Sequence, residues 1–205
     1  MTREATVFIV DDDEAVRDSL GWLMKTVGLA TEVYASAREF LDAYDPRRPG
    51  CLVLDIRMPG MSGLELQQTL TERKSPLPII IISGHGNVPV AVQTMRNGAM
   101  DFFEKPFDLD RLIERIRECL AQETERTRHD SRHQEAAHLI GTLTPREREI
   151  FDLLVQGEMN KNIAARLGIS IRTVEVHRAN LMSKLEASNV SDLVHLSMEA
   201  TRATP

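Results

Sequence analysis

The sequence predicts an α/β fold, a doubly wound five-stranded parallel sheet, followed by an all-α domain of the helix-turn-helix type. Three observations lead to this prediction. Across the first 120 residues, short apolar runs alternate with segments of helical periodicity, which is typical of a parallel sheet covered on both faces. Residues 122–141 are polar and lack aromatic side chains, and residues 142–205 carry helical signals only. We therefore predict a first domain at 1–121, a helical linker at 122–141 and a second domain at 142–205.

The first domain contains five predicted strands, each a short apolar run. They lie at Thr6–Val10, 32–35, 51–54, 78–82 and 101–103. Apolar residues at helical spacing predict helices at 13–27, from residue 36, from 62 to about 72, at 88–97, and from 108 to about 128. Ser36 and Ser62 each precede a Glu by three residues, the spacing of a capping box that starts a helix.

The second domain begins with a well-specified helix start. Thr144 fits the N-cap position, Pro145 the first helical position and Glu147 the third. Four helices are predicted, at 145–156, 160–167, 171–185 and 190–199. The second and third are joined by a short turn that contains Gly168, which is the pattern of a helix-turn-helix unit.

The composition excludes several classes of protein. The chain is 42% hydrophobic and 27% charged, a profile typical of a globular protein. No apolar run approaches the roughly 18–20 residues of a membrane span, and Met1-Thr2-Arg3-Glu4 does not resemble the start of a signal peptide. The only cysteines are Cys51 and Cys119, both in apolar contexts, which excludes a disulfide scaffold and a cysteine zinc site. We expect a cytoplasmic protein with no membrane partner.

The negative charge is unevenly distributed along the chain. Residues 1–120 carry 14 Lys and Arg against 19 Asp and Glu, whereas residues 142–205 carry eight of each. The sharpest acidic cluster is Asp11-Asp12-Asp13-Glu14, which suggests either a cation site or a solvated strand end. The net charge of −6 does not favour nucleic-acid binding, so that function has to depend on a local surface.

Acidic and polar residues follow the predicted strands of the first domain. Asp11 and Asp12 follow the first strand, Asp55 the third, Ser83 the fourth and Lys105 the fifth. Because the carboxyl ends of parallel strands share one edge, we expect three carboxylates, a hydroxyl and an ammonium to converge there. Oxygen ligands of this kind suit Mg²⁺ or Mn²⁺, and a carboxylate beside such an ion can attack phosphorus. Each residue taken singly is more often a turn or cap; their joint placement favours a functional site.

Four segments resemble the receiver domains of two-component response regulators, over residues 5–120. They are Ile9-Val10-Asp11-Asp12-Asp13, Leu54-Asp55-Ile56-Arg57-Met58-Pro59-Gly60, Ser83-Gly84-His85-Gly86 and Glu104-Lys105-Pro106-Phe107. The resemblance implies a flavodoxin-like fold in which Asp55 accepts a phosphoryl group from a sensor histidine kinase. It implies that Ser83 and Lys105 bind the acyl phosphate, and that Phe102 changes rotamer with Ser83. It also implies a metal ion, Mg²⁺ or Mn²⁺, held by Asp11, Asp12, Asp55 and the carbonyl of Arg57.

The predicted helix at 88–97 and the fifth strand are the surfaces that we expect to respond to phosphorylation. Val92, Met95 and Arg96 share one side of this helix at i, i+3 and i+4 spacing. We predict a homodimer on phosphorylation, in which Val92 packs across the interface and Arg96 pairs with Asp101 of the second chain. The alternative is that Val92 and Met95 belong only to the core.

The predicted helix at 171–185 has one face suited to reading DNA. At 100° per residue, the core side carries Val174, Leu181 and Leu185. The opposite side carries Arg172, Glu175, Val176, Ala179 and Ser183. Small apolar side chains among charges suit contacts with thymine methyl groups, and Glu can accept from cytosine. At the flanks, Arg178 and Lys184 suit phosphates.

Three segments of the second domain resemble the DNA-binding domain of LuxR-type regulators. They are Leu143-Thr144-Pro145-Arg146-Glu147, Asn160-Lys161-Asn162-Ile163-Ala164 and Thr173-Val174-Glu175-Val176-His177-Arg178-Ala179-Asn180. The whole chain is thus similar to the FixJ/NarL subfamily of response regulators and nearer its FixJ branch. This implies a transcription factor that dimerises on phosphorylation and binds two-fold-related sites in double-stranded DNA. Asn160 and Lys161 would add phosphate contacts, and Thr173 lies in the DNA-contacting segment. Glu175 departs from members that have Lys at that place.

Two other functions stay open on the sequence. A phosphatase of the haloacid dehalogenase type would use Asp11 as nucleophile and Asp13 as acid and base, but Glu14-Ala15 replaces the usual Gly-Thr, and residues 142–200 would have no role. A DNA-binding protein with a degenerate receiver would need no phosphorylation, and the intact set of Asp, Ser and Lys residues argues against it. We therefore predict a regulator and not an enzyme.

Overall fold

The computed structural model describes residues 5–84 and 88–201, and these form two compact units that divide after Thr127. His85 and Gly86 of the third receiver-like segment lie outside the described residues. Residues 1–4, on which the expectation of no signal peptide rests, lie outside them as well.

The first unit is built on a parallel sheet of five strands in the order β2-β1-β3-β4-β5. The strands are β1 (Thr6–Val10), β2 (Thr31–Tyr34), β3 (Gly50–Asp55), β4 (Ile79–Ser83) and β5 (Asp101–Glu104). The sheet confirms the predicted fold class, and every strand lies within one residue of its predicted bounds.

Helices cover both faces of this sheet. They are α1 (Glu14–Thr26), α2 (Ala37–Ala43), α3 (Gly63–Glu72), α4 (Val88–Arg96) and α5 (Leu109–Gly141). Phe8 and Leu54 of the strands pack in one core with Phe40 of α2. Ile9 and Val53, which point to the opposite face, pack in a second core that includes residues of α1 and α5. Because β1, β3 and β4 are buried on both faces, these three strands show no polar alternation in the sequence.

Helix α5 continues without a break through the segment predicted as a helical linker. It ends at Gly141, whereas the sequence predicted one helix to about residue 128 and a helical linker at 122–141. Although residues 122–141 are mostly polar, Glu123, Ala136 and Ile140 in this segment are buried. Ile140 belongs to the core of the second unit. The helix continues because Ala136 and Ile140, four residues apart, share one helical face that is removed from water.

The second unit contains the four predicted helices. They are α6 (Pro145–Val155), α7 (Asn160–Leu167), α8 (Ile171–Lys184) and α9 (Val190–Thr201). The turn between α7 and α8 passes through Gly168, whose φ of 65° is left-handed and favours glycine. Val174, Leu181 and Leu185 are buried, so the core face predicted for α8 is confirmed.

The start of α6 is a capping box that is tied to α8. The Glu147 carboxylate accepts a hydrogen bond of 2.9 Å from the Thr144 N–H, and the Glu147 N–H donates to Thr144 Oγ1 at 3.3 Å. Lys184 Nζ donates to the same carboxylate oxygen at 2.6 Å. The Lys184 ammonium therefore has a partner inside its own domain, which differs from the phosphate contact predicted for it.

These donors change the acidity of Glu147. The hydrogen bond from Lys184, followed by that from the Thr144 backbone, lowers the pKa of the carboxyl from 4.5 to about 2. A carboxyl with a lower pKa in the folded state stabilises the fold above the unfolded pKa. This contribution is lost as the pH falls towards the folded value.

No helix among residues 5–84 and 88–201 combines the length and the hydrophobicity that crossing a membrane requires. The two cysteines are free and buried, Cys51 in β3 and Cys119 in α5, within the core that α1 and α5 share.

The first turn of α3 is pressed against the end of β3. A Cβ atom at Gly63 would lie 2.1 Å from the carbonyl oxygen of Asp55, which is far inside van der Waals contact. The Gly63 N–H donates to the Ile56 carbonyl at 2.9 Å, which closes the loop that follows Asp55. Only glycine allows this approach, so Gly63 helps to fix the backbone that carries Asp55.

We expect Gly63→Ala to destabilise the protein by about 2 kcal/mol, the range of an overpacked site, because the added methyl group collides with backbone atoms. Urea unfolding followed by far-ultraviolet circular dichroism measures this. Gly141→Ala is the control, since a Cβ there meets no atom within 4 Å, and it should lose no stability. A Gly63→Ala protein as stable as wild type would contradict the packing described.

We expect Glu147→Gln to lower stability at neutral pH by about 1 kcal/mol, which is typical of a lost helix cap. The difference from wild type should shrink as the pH falls from 4.5 towards 2, because the wild-type carboxylate is protonated over that range. Urea unfolding at a series of pH values measures it. Glu149→Gln is the control, because Glu149 is half exposed and pairs only with Arg146 in a surface ion pair. A difference that does not vary with pH would contradict this account.

Candidate functional site

Two buried carboxylates and one ammonium meet at the carboxyl edge of the sheet. Lys105 Nζ lies 2.7 Å from Asp11 Oδ2 and 2.8 Å from Asp55 Oδ1. The side chains of Asp11 and Asp55 are 1% and 7% exposed, and that of Lys105 is 23% exposed. Asp11 follows β1, Asp55 ends β3 and Lys105 follows β5, so the predicted convergence of these three residues is observed.

Backbone groups hold each of these side chains in place. The Asp13 N–H donates to Asp11 Oδ1 at 2.9 Å, and the Arg57 N–H donates to Asp55 Oδ2 at 2.6 Å. The Lys105 N–H donates to the Ser83 carbonyl at 2.8 Å, which joins the ends of β4 and β5. The second oxygen of each carboxylate is thus oriented by the loop that follows its own strand.

The electrostatics of the site favour an additional cation. Burial raises the pKa of Asp55 because it removes the carboxylate from water, and the hydrogen bond from Lys105 only partly offsets this. Burial lowers the pKa of Lys105, but its hydrogen bonds to Asp11 and Asp55 outweigh that effect and the pKa is raised. Two carboxyl groups therefore share one ammonium at this edge of the sheet.

Asp12 is arranged differently from its neighbour. Its side chain is exposed, although Asp11 beside it is buried. Within the described residues, no three Asp, Glu, His or Cys side chains are grouped closely enough to hold a metal ion. In this arrangement Asp12 is not buried with Asp11 and Asp55, and the gathering of three carboxylates stays a prediction. The oxygen chemistry of Asp11, Asp55 and the neighbouring backbone still suits Mg²⁺.

Ser83 and Phe102 lie on the two strands beside this cluster. Ser83, the last residue of β4, is buried and pairs in register with Glu104 of β5. Phe102 pairs with Ile81, two residues before Ser83, and is half-buried against the core on the α2 and α3 face. Alternation along the strands puts Phe102, Ile81 and Ser83 on the same face of the sheet.

The predicted dimer face is exposed in the single chain. Val92 and Met95 are 43% and 47% exposed, so the alternative that they belong to the core is wrong. Arg96 is also exposed. Asp101 is half-buried, and its Oδ2 lies 3.4 Å from Arg115 Nε of α5. Asp101 thus has an ionic partner within its own chain that the sequence did not indicate.

The exposed side of α8 carries most of the residues predicted to contact DNA. Val176 is 49% exposed. Ala179 is exposed and Thr173 is half-buried. Arg172 and Glu175 are exposed and lie 3.9 Å apart across one helical turn. An exposed valine beside an alanine and two charges is the surface that the helical spacing predicts.

A contact between α7 and α8 joins two further residues predicted to bind phosphate. Arg178 Nη1 donates to Asn160 Oδ1 at 3.2 Å. Asn160 is the first residue of α7, and Lys161 beside it is exposed. The amide oxygen holds the guanidinium next to the start of α7, where the positive end of the helix dipole and Lys161 add positive charge.

Sequence reasoning missed one residue of the acidic site. Arg17 Nη1 donates to the backbone carbonyl of Asp11 at 2.7 Å. Arg17 lies in the first turns of α1, directly after the acidic loop, so its place in the sequence was the available signal. Its guanidinium adds positive charge beside Asp11 and fastens the loop to α1.

Two family models match the chain. The model for the response regulator receiver domain matches residues 7–117, and the model for bacterial regulatory proteins of the luxR family matches residues 141–197. The FixJ transcriptional regulatory protein of Bradyrhizobium diazoefficiens is 42% identical over 200 residues, covering 98% of each chain. FixJ of Azorhizobium caulinodans is 45% identical over 200 residues, covering 98% of this chain and 95% of that one.

Solved structures agree with these matches. The response regulator StyR is 42% identical with a TM-score of 0.89, covering 96% of this chain and 99% of its own. FixJ-N is 47% identical with a TM-score of 0.54, covering 58% of this chain and 95% of its own. The chain therefore belongs to the FixJ-like two-component response regulators, transcriptional regulatory proteins that join a receiver domain to a LuxR-type DNA-binding domain.

Proposed function

We propose that Asp55 is the phosphoryl acceptor of this response regulator, and that its modification drives dimerisation and sequence-specific binding to double-stranded DNA. The observation that carries the proposal is the contact of Lys105 with both Asp55 and Asp11. This contact brings two carboxyl groups and a positively charged side chain together at one edge of the sheet. A sensor histidine kinase is the proposed phosphoryl donor.

The transfer forms one bond and breaks one. An Asp55 oxygen attacks phosphorus, the bond from phosphorus to the imidazole nitrogen of the kinase histidine breaks, and that nitrogen keeps the electron pair. Lys105 already contacts Asp55 Oδ1 and can pair with a phosphoryl oxygen as the acyl phosphate forms. Ser83 is proposed to donate its hydroxyl hydrogen to another phosphoryl oxygen, with Phe102 changing rotamer in response.

Mg²⁺, or Mn²⁺, is the cofactor that we propose for this site, held by Asp11, Asp12, Asp55 and the Arg57 carbonyl. A bound divalent ion would supply positive charge opposite the phosphoryl oxygens. The residues themselves supply too little positive charge, because two buried carboxylates face one Lys105 ammonium. Holding Asp12 in this set requires its exposed side chain to turn towards Asp11.

We propose that the phosphorylated receiver forms a homodimer through α4 and β5. Val92 and Met95 are apolar and exposed on α4, and association would remove them from water. Arg96 would pair with Asp101 of the second chain, where it competes with Arg115 of that chain. The dimer presents two DNA-binding domains, which suits a site with two-fold symmetry.

For the DNA-binding domain, we propose that α8 enters the major groove. Val176 and Ala179 would meet thymine methyl groups, and Glu175 with Arg172 would contact base edges. Asn160, Lys161, Thr173 and Arg178 would contact phosphates and set the register. Lys184 is better assigned to the fold, since Glu147 neutralises its ammonium. A DNA-binding regulator works where the DNA is, so we place the protein in the cytoplasm.

The arrangement of the acidic loop also weighs against the phosphatase alternative. Asp13 Oδ1 accepts the Ala15 N–H and caps α1, so this carboxylate serves the helix start. Asp11 is buried and paired with Lys105. Neither is placed as the acid–base and nucleophile pair of a phosphatase, and we propose no enzymatic turnover.

We expect Asp55→Asn to abolish phosphodonor-dependent dimerisation. Wild-type protein treated with acetyl phosphate and Mg²⁺ should gain one phosphoryl group on Asp55 by mass spectrometry and should dimerise by analytical ultracentrifugation. The amide is not nucleophilic, so the variant should do neither while remaining folded by circular dichroism. Asp12→Asn is the companion variant. It should slow the labelling, and the phosphoryl group should still be found on Asp55. Labelling of Asp11, or dimerisation of Asp55→Asn equal to wild type, would refute the assignment.

We expect Arg178→Ala to weaken DNA binding by about the same factor for a duplex selected by the wild-type protein from a random library and for an unrelated duplex, because phosphate contacts carry no sequence information. The slope of log affinity against log salt should become shallower by about 1 for each site bound. Arg38→Ala, an exposed change of equal charge in α2, is the control. An unchanged slope, or a loss confined to the selected duplex, would contradict a phosphate role.

A further inference from the structure

A buried amide joins α3 to α4 of the receiver. Gln67 of α3 is 0% exposed, and its Nε2 donates to the carbonyl of Thr94 in α4 at 2.9 Å. A carbonyl only accepts hydrogen bonds, so the amide nitrogen must face Thr94. The other end of the amide, Oε1, is buried without a hydrogen-bond partner. A buried polar side chain that is half satisfied is rare in proteins and calls for an explanation.

Helix α4 is only lightly packed against the rest of the unit. Thr94 is its one buried residue, whereas α3 buries four. Val88, Val92 and Met95 are 77%, 43% and 47% exposed. Because α4 buries little apolar surface among the described residues, the hydrophobic effect holds it weakly, and the hydrogen bond from Gln67 adds to what fixes its position.

A neighbouring hydroxyl does not replace this bond. Thr71 Oγ1 lies 3.5 Å from the Asn97 carbonyl, but it lies 2.9 Å from the Gln67 carbonyl in its own helix. A hydroxyl has one hydrogen to donate, and the shorter contact takes it. The Gln67 amide therefore makes a well-formed side-chain hydrogen bond from α3 to α4, and the Thr71 hydroxyl does not.

The carbonyl of Thr94 does not depend on Gln67 for satisfaction. It also accepts the Ala99 N–H at 3.1 Å, in the turn that ends α4. An apolar side chain of similar shape at position 67 would remove the bond to α4 and the unpaired oxygen together. Such a replacement is nearly neutral for folding, because it leaves no buried group newly unsatisfied.

We propose that Gln67 is a positioning residue that holds α4 in the arrangement of the unphosphorylated receiver, in which Asp55 is paired with Lys105. The inference rests on the proposed function, in which the α4 face forms the dimer after phosphorylation. The Nε2 bond favours the arrangement described here. One hydrogen bond holds α4 weakly enough for a new group on Asp55 to release it.

The test is Gln67→Met in the full chain. Without phosphodonor, the dimer association constant of the variant should rise about fivefold over wild type, the effect of one lost hydrogen bond. The rate at which acetyl phosphate labels Asp55 should stay unchanged, and so should the urea midpoint. Analytical ultracentrifugation, mass spectrometry and circular dichroism measure these three quantities. An unchanged association constant without phosphodonor would overturn the proposal.

Gln68→Met is the matched control. Gln68 is the next residue of α3, is exposed, and donates only to Glu72 in its own helix at 2.9 Å, so its replacement should leave dimerisation as in wild type. If wild type itself fails to dimerise with acetyl phosphate, the proposed function fails, whereas a Gln67→Met protein identical to a phosphate-responsive wild type overturns only the role of Gln67.

A measurement on the wild-type protein keeps the proposal testable if the variant does not fold. The side-chain amide hydrogens of Gln67, observed by nuclear magnetic resonance, should exchange slowly with water in the unmodified protein. With beryllofluoride and Mg²⁺ as the phosphoryl mimic, their exchange should accelerate. Equal protection in both states would show that the bond does not respond to Asp55 and would overturn the proposal.

Discussion

The shared ammonium of Lys105 is the interaction on which the receiver depends. Two carboxylates removed from water repel each other and raise each other's pKa unless a cation lies between them. Lys105 meets this need by bonding Asp11 and Asp55 at once. It can do so because β5 follows β4, β3 and β1 in the sheet and delivers its last residues to the same edge. The order of the strands is thus a condition for the charge balance of the site.

A parallel arrangement of charges serves a different purpose in the second unit. Lys184 and Glu147 also form a short ion pair, but theirs joins α8 to the capping box of α6. This ion pair fixes α8, which carries the exposed Arg172, Glu175 and Val176, against the start of α6. Arg178 is fixed by a neutral partner, the Asn160 amide, and so keeps its full charge. Lys184 thus stabilises the fold of the domain, whereas the charge of Arg178 stays available for an anionic partner.

The sequence predicted the sheet closely because β1, β3 and β4 are buried on both faces. Clear helix starts at Ser36 and Ser62 also bound the strands. It also predicted that Asp55 and Lys105 meet, because strand ends converge in a parallel sheet. It could not predict that Asp12 is exposed while Asp11 is buried, because both acidic residues directly follow the same strand. It placed Lys184 on the flank of α8 correctly, yet its partner lies 37 residues earlier in the chain.

Sequence reasoning could not predict the burial of Ala136 and Ile140 in α5 or of Gln67 in α3, and the reason is similar in both helices. Ala136 and Ile140 lie in a mostly polar segment, and only the structure shows that both are buried, with Ile140 in the core of the second unit. Gln67 is a polar residue in an amphipathic helix, where exposure is the ordinary expectation. In both cases a contact distant in sequence overrides the local pattern.

The buried thiols of Cys51 and Cys119 have a practical consequence. Both are 0% exposed, so a thiol-reactive reagent can reach them only when the core beneath α1 and α5 opens. They are the only cysteines in the chain, and both belong to the receiver. The rate of thiol modification in native buffer therefore reports the opening free energy of the receiver alone, separately from that of the DNA-binding domain and without any added label.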